Sequence, residues 1–231
     1  MKLKKTLWLS IACLLCLWAG QAQADPITIF NTGVDASGIV SLAVPDGTIG
    51  DLHYAYALVG GVPGGTTETL IRNSDGGAPI PPYLGDNGVS QWIGPNNDLL
   101  LTGPMGAYRY QTTFDLTGFV PATAVLEGQW MTDNDGVDIF INGVRVLNEF
   151  SLSFTTPDTS YSIGFSPFKV TSGFIAGVNT LEFVVNNSGD NSTALRVEVT
   201  GEATSVPEPA SLLLLGSGLV GLAAWRRKHA A

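Results

Sequence analysis

Apolar and polar positions alternate with period two through the middle of the chain. Tyr108, Tyr110, Thr112, Phe114 and Leu116 share one face, and Arg109, Gln111, Thr113 and Asp115 share the other. Successive side chains of a strand point to opposite sides of a sheet, so such a run predicts a half-buried β-strand. The pattern recurs. Leu126, Gly128 and Trp130 share a face in the next run, and Val137, Ile139 and Ile141 follow. Leu181, Phe183 and Val185 alternate with Glu182 and Val184, while Leu195, Val197 and Val199 alternate with Arg196, Glu198 and Thr200. Earlier strand-like runs lie at 27–30, 38–44 and 52–58, the last two joined by the turn Pro45-Asp46-Gly47.

Asn142-Gly143 stands between Ile141 and Val144-Arg145-Val146. It is a strong hairpin signal, because the tight turns that suit twisted strands need positive φ, which Asn and Gly tolerate. Between 25 and 205 no stretch keeps an apolar 3.6-residue period over three turns. About nine to eleven short strands separated by Gly, Asn and Pro turns predict an all-β, antiparallel two-sheet sandwich. Residues 60–104, rich in Gly, Pro, Asn and Asp, read as the longest loop, broken only by 89–93. Long loops on rigid scaffolds carry binding sites.

The two ends follow other rules. Residues 1–24 begin with Lys2, Lys4 and Lys5, continue as an apolar run at 7–18, and close on Ala22-Gln23-Ala24. That is the layout of a secretory signal peptide cut after Ala24. About 12 apolar residues make ~18 Å of helix, too short for a ~30 Å hydrocarbon core. The layout implies the Sec export machinery and signal peptidase as partners. At the other end Pro207-Glu208-Pro209 precedes a charge-free apolar run at 212–225, then Arg226, Arg227 and Lys228. An apolar run with a basic cluster behind it reads as a transmembrane helix over 210–231 with a cytoplasmic C-terminus. Residues 204–209 form the linker, and 25–203 the exported body.

Charge narrows the function. Of 231 residues, 20 are Asp or Glu and 11 Lys or Arg. Between 25 and 205 there are 19 acidic and 5 basic residues, a net of −14. A body of that sign excludes nucleic acid, whose phosphates need clustered Lys and Arg. Cys13 and Cys16 are the only cysteines. Both leave with the leader, so thiol catalysis and disulfides are excluded from the mature chain.

The tail from Val206 to Ala231, with its Pro-Glu-Pro motif, short apolar helix and Arg-rich end, strongly resembles the PEP-CTERM sorting signal of Gram-negative bacteria. The resemblance implies transient anchoring in the inner membrane, recognition at Pro207, Glu208 and Pro209, and processing by an exosortase. It also implies a destination at the cell surface or in extracellular polysaccharide. Residues 112–201, with TTFDLTGF, AVLEGQWMTDNDGVDIFINGVRV, SGFIAGVNTLEFVVNNSG and ALRVEVTG, resemble a jelly-roll, galactose-binding-like sandwich. Proteins of that shape bind sugars or support neighbouring domains, and fold alone does not choose between these.

Several residues carry candidate chemistry. Asp133, Asp135 and Asp138 surround Asn134 and Gly136, and two readings stand: a calcium site, which wants six to eight oxygens, or an Asx-rich turn that bonds its own backbone. Asn186, Asn187, Asp190 and Asn191 form a second oxygen-rich loop. Tyr83, Trp92 and Trp130 offer flat faces to sugar rings; alternation places Trp130 in the core, Trp92 beside Ile93 in a short run also reads as core, and Tyr83, after Pro81-Pro82, is the ring expected at the surface. His53 is the only histidine of the body and lies in a strand-like run, where a structural role is the ordinary one. No Gly-x-Ser-x-Gly elbow, His-Glu-x-x-His or phosphate-binding loop accompanies it. No cofactor is expected beyond the calcium alternative. The expectation is a non-catalytic exported protein that binds extracellular polysaccharide. The alternatives are a structural or adhesion domain without a specific ligand and a glycoside-active enzyme using paired carboxylates.

Overall fold

A strand of eleven residues, β13 (Ala194–Thr204), organises the body. It is seen in a computed structural model that describes residues 23–40, 50–59, 68–72, 82–96, 102–146 and 160–207, with 216–218, 222, 225, 226 and 229 of the tail. The leader up to residue 22, the turn Pro45-Asp46-Gly47, residues 41–44 of the early strand-like run, Glu208, Pro209, Arg227, Lys228 and most of the apolar run at 212–225 lie outside the described residues. Residues Ala24–Thr204 form one compact unit, and the tail from Ser205 belongs to another.

The remaining strands of the body are β1 (Ala24–Ile27), β2 (Gly50–Val59), β3 (Glu68–Arg72), β4 (Trp92–Gly94), β5 (Thr102–Gly103), β6 (Gly106–Asp115), β7 (Val125–Asp133), β8 (Asp135–Ile141), β9 (Val144–Arg145), β10 (Ser166–Val170), β11 (Val178–Asn187) and β12 (Asn191–Ser192). The one α-helix described in the body, α1, is the single turn Ser160–Ile163. The strands hydrogen-bond in the order β10-β7-β13-β4-β3-β2-β6-β11-β8-β9, with β1 also on β13 and β12 paired to β5.

That ribbon folds back on itself. Trp130 on β7 and Phe168 on β10 both lie 5.4 Å, centroid to centroid, from Phe183 on β11. The β10-β7-β13 half therefore faces the β6-β11-β8 half across a shared core, which makes a two-layer, all-β sandwich. The core is built by the alternating faces read from the sequence. Leu126, Trp130, Leu195 and Val197 come from one layer, and Tyr108, Tyr110, Leu181, Phe183 and Val185 from the other, all fully buried. Gly128 stands opposite Phe168 in the β7–β10 ladder. A Cβ there would sit 2.7 Å from Phe168 Cζ, so the missing side chain makes room for the ring.

Two ends of the sandwich follow from the registers. At one, Thr204 pairs with Ala24 and Glu202 with Val125, closing the body where the tail leaves. At the other, Asp133 pairs with Ala194 and Asn187 with Gly106. These are called the tail-side end and the far end below. Between β1 and β4 the ladder along β13 is completed by Asn31 and Thr32, with backbone and side chain. Thr32 N–H donates to Val197 O at 3.1 Å, Val197 N–H donates to Thr32 Oγ1 at 3.0 Å, and Val199 N–H to Asn31 Oδ1 at 2.7 Å.

The structure departs from the sequence pattern in three places. Val137 is exposed while Ile139 and Ile141 are buried. The β11–β8 register slips there, with Gly136 opposite Val185 and Asp138 opposite Val184, so Val137 is bulged out of the ladder and turned outward. Residues 60–104 are not one loop, because β3, β4 and β5 lie within them. The first run stops as a strand at Ile27, and Val40 makes only an isolated bridge to Val34. The Asn142-Gly143 hairpin forms as expected, with φ of 51° and 75°.

Candidate functional site

At the far end, residues 82–91 are pinned over β7 and β13. Leu84 N–H donates to Tyr161 O at 2.8 Å, and Trp92 Nε1–H to Leu84 O at 2.9 Å. Tyr83 packs edge-on to Trp92 at 5.2 Å and against Tyr161 at 4.8 Å. Its hydroxyl donates to Asp133 Oδ2. Burial and the Asp133 charge push the Tyr83 phenol well above its ordinary value, so it stays a donor. The core reading of Trp92 holds, and the surface expectation for Tyr83 is corrected. Trp92 is completely buried and has no face to offer a sugar, and Tyr83 is half-buried in an aromatic cluster rather than free at the surface.

The three aspartates do not converge. Asp133 is buried and takes Tyr83 and, at 3.0 Å, Asn134 Nδ2–H. Asp138 is buried and ion-paired to Arg145, its other oxygen accepting Ile139 N–H at 3.0 Å. Asp135 points to solvent. Among the described residues no group of three or more His, Cys, Asp or Glu side chains is placed to hold a metal. In place of a shared calcium site, Asp133 and Asp138 serve separate structural contacts and Asp135 is left to solvent. No linear signal marks Arg145 as the partner of Asp138, since the two meet only across the hairpin.

A polar network missed by the sequence runs along the outer face of β13. Alternation turns Arg196 and Glu198 outward, yet Arg196 is only 1% exposed because residues 82–91 and Phe165 cover it. Its Nε–H donates to Ser90 Oγ at 2.8 Å and Nη1–H to Gly85 O at 2.8 Å. Ser90 Oγ–H donates in turn to Glu198 Oε1 at 2.9 Å, which also accepts Asn87 Nδ2–H at 2.7 Å, while Oε2 accepts Gln129 Nε2–H at 2.7 Å. Burial lowers the Arg196 guanidinium, opposed by the charges of Asp86 and Glu198. The network ties a loop to a strand.

His53 is held in place. Its Nε2 lies 2.9 Å from Asp35 O, and its ring stacks on Phe30 at 3.7 Å. Asp51 beside it accepts Gly33 N–H at 2.6 Å and the N–H groups of His53 and Tyr54 at 2.8 Å each. Burial raises its carboxyl above the ordinary value despite these bonds. Where β2 and β6 diverge, an open groove of about 390 Å³ is lined by Leu52, His53, Ala55, Gln111 and Thr113.

Of the sorting residues, Pro207 is described and exposed. In the tail, 216–218, Leu222, Trp225, Arg226 and His229 are helical and exposed, with Trp225 and His229 one turn apart at 4.9 Å. Among the described residues no helix is long and apolar enough to cross a membrane.

The body of the chain is thus an all-β sandwich, and the residues described beyond 215 in the tail are helical. Residues 205–228 match the PEP-CTERM protein-sorting motif. The motif implies an exported substrate of an exosortase-type enzyme. The body is similar to the CBM35 domain of Paenibacillus barcinonensis, at 17% identity over 63% of this chain and 91% of that chain, with a TM-score of 0.31. It is also similar to the CBM36-1 domain of a multidomain xylanase from the hindgut metagenome of Trinervitermes trinervoides (12% identity, 66% and 98% covered, TM-score 0.31). A family 35 carbohydrate binding module from an environmental isolate gives 12% identity, the same coverage and a TM-score of 0.32. No curated protein sequence matches the chain.

Proposed function

We propose that this chain is a non-catalytic β-sandwich, exported by a leader cut after Ala24 and held in the inner membrane by its C-terminal helix. An exosortase then releases it near Pro207-Glu208-Pro209 to the cell surface or extracellular matrix. The observation that carries the reading is the sorting motif at 205–228, which begins one residue after the last strand ends at Thr204. A recognition sequence placed directly behind a closed domain delivers that domain intact. The non-catalytic part rests on His53, whose one bonded nitrogen and stacked ring serve the fold.

In the matrix the body meets polysaccharide, and the β2–β6 groove is the surface we assign to it. Leu52 supplies an apolar patch, and His53, Gln111 and Thr113 supply hydrogen-bonding groups. Every large hydrophobic side chain described as exposed on the body is aliphatic or Met. In this groove contact with sugar runs through polar groups and Leu52.

Mass spectrometry of the mature protein from its native cells tests the sorting step. Parent protein should lack the tail, and the double variant Pro207→Ala/Pro209→Ala should keep it; an identical C-terminus in both overturns the reading. Retention on extracellular polysaccharide, weakened by Gln111→Ala with Leu52→Ala, tests the groove.

A further inference from the structure

The body holds its last strand to the final residue. Thr204 N–H donates to Thr123 Oγ1 at 2.8 Å, and Thr204 O accepts Val120 N–H at 2.8 Å. Ala203 is completely buried, and the part of β1 that stays after the leader's cut, Asp25 to Ile27, covers Gly201 to Ala203 residue for residue. Pro207 follows three residues later. Three extended residues reach no more than about 11 Å. An enzyme that cuts a chain at a short linear motif grips it extended, with several residues on each side of the scissile bond. On the N-terminal side of Pro207 those residues include Ala203 and Thr204, which the closed body does not release.

We infer that the β1–β13 clasp gates the processing of the tail: the exosortase gains its full substrate segment only when the tail-side end of the sandwich opens. This rests on the sorting role proposed above and adds its regulation. Strand ends open locally at a small fraction of the cost of global unfolding. The processing rate then follows the open fraction of the clasp. β1 consists of residues at and just after the leader's cut, and β13 is the last strand to be exported, so the clasp closes only when the whole body has crossed the membrane. From then on the clasp holds the residues that precede the motif.

The test is a pulse-chase measurement of tail removal in native cells. An eight-residue Gly/Ser insertion between Ser205 and Val206 lies outside the fold and frees the segment outright; processing should accelerate several-fold. Thr123→Val removes the bond to Thr204 and should accelerate it about five-fold, the factor that one hydrogen bond of ordinary net worth sets on an opening equilibrium. Pro26 and Glu202 are exposed and directly opposed. The pair Pro26→Cys and Glu202→Cys, in a mature chain otherwise without cysteine, should slow tail removal when oxidised and recover when reduced. Equal rates in parent, insertion and Thr123→Val would overturn the gate while leaving the sorting role intact. A tail retained by the parent itself would overturn the sorting role and the gate with it.

Discussion

The two ends of the sandwich both rely on buried asparagines and use them in opposite ways. At the tail-side end Asn179 saturates its amide. Oδ1 accepts Asn142 Nδ2–H and Ile175 N–H, and Nδ2–H donates to Ile175 O and Gly177 O, all at 2.8 Å. Asn142 extends the web to Gly173 O at 2.9 Å and accepts Thr180 N–H at 3.0 Å. At the far end Asn187 donates to Gly103 O at 2.8 Å and, at longer range, to Pro104 O and Asn191 O. Its Oδ1 has no partner among the described residues, and neither do the hydroxyls of Thr193 and Tyr110, all buried. The tail-side asparagines sit where the chain wraps around them and offers backbone from several sides. Asn187 sits beside the Tyr108 hydroxyl, which donates to Pro104 O rather than to the amide oxygen. The end that carries the sorting tail is the better satisfied one, consistent with a clasp that stays shut.

The most forceful way to break this contrast is Asn179→Ala. It removes four hydrogen bonds at once and should cost about 2–4 kcal/mol, read from denaturant unfolding of the mature protein. A loss below that of an ordinary surface substitution would mean that the tail-side web adds nothing. Next is Tyr83→Phe at the far end. It leaves a buried carboxylate, Asp133, without its hydroxyl donor and should cost about 1–3 kcal/mol.

Which of these features the sequence made legible depends on how far apart in the chain the partners lie. The alternation at 108–116 was readable because one face of β6 is buried along its whole length. The hairpin at Asn142-Gly143 and the sorting motif were readable because each is a local linear signal. Val137 was misread because a bulge resets the face, and a period-two pattern carries no mark of one extra residue. Tyr83 and Arg196 were misread for another reason. Both are buried by contacts more than 70 residues away, Tyr83 by Tyr161 and Arg196 by the segment 85–90. β3 was hidden in a stretch whose Gly and Pro content reads as loop, and its pairing with β2 and β4 comes from the tertiary fold.

A finer contrast lies within one cluster. Tyr108 and Tyr110 are two residues apart on β6, both buried, with ring centroids 6.4 Å apart. Tyr108 donates its hydroxyl to Pro104 O at 2.8 Å, and burial pushes its pKa up to about 12. Tyr110 has no such partner among the described residues. Tyr108→Phe should cost about 1 kcal/mol, and Tyr110→Phe should be neutral or slightly stabilising, because removing an unpaired buried hydroxyl removes its desolvation penalty. Equal losses in the two variants would show that the Tyr110 hydroxyl is satisfied.

The smallest effect concerns Glu198, between the two ends on β13. Burial alone would raise its carboxyl. Hydrogen bonds from Asn87, Gln129 and Ser90, with the charge of Arg196, outweigh burial and hold it below its ordinary value of 4.5. A carboxyl depressed in the folded state contributes stability that is fully present above 4.5 and lost as pH falls through the lower, folded value. Glu198 is partly exposed, so screening keeps that contribution below about 1 kcal/mol. Glu198→Gln should lower the urea midpoint slightly at neutral pH, and the gap to the parent should close well below pH 4.5. Raising the salt concentration should narrow the gap at neutral pH as well, since part of the contribution is the attraction of Arg196. A gap that stays constant from neutral to acid pH would assign Glu198 to packing rather than to charge.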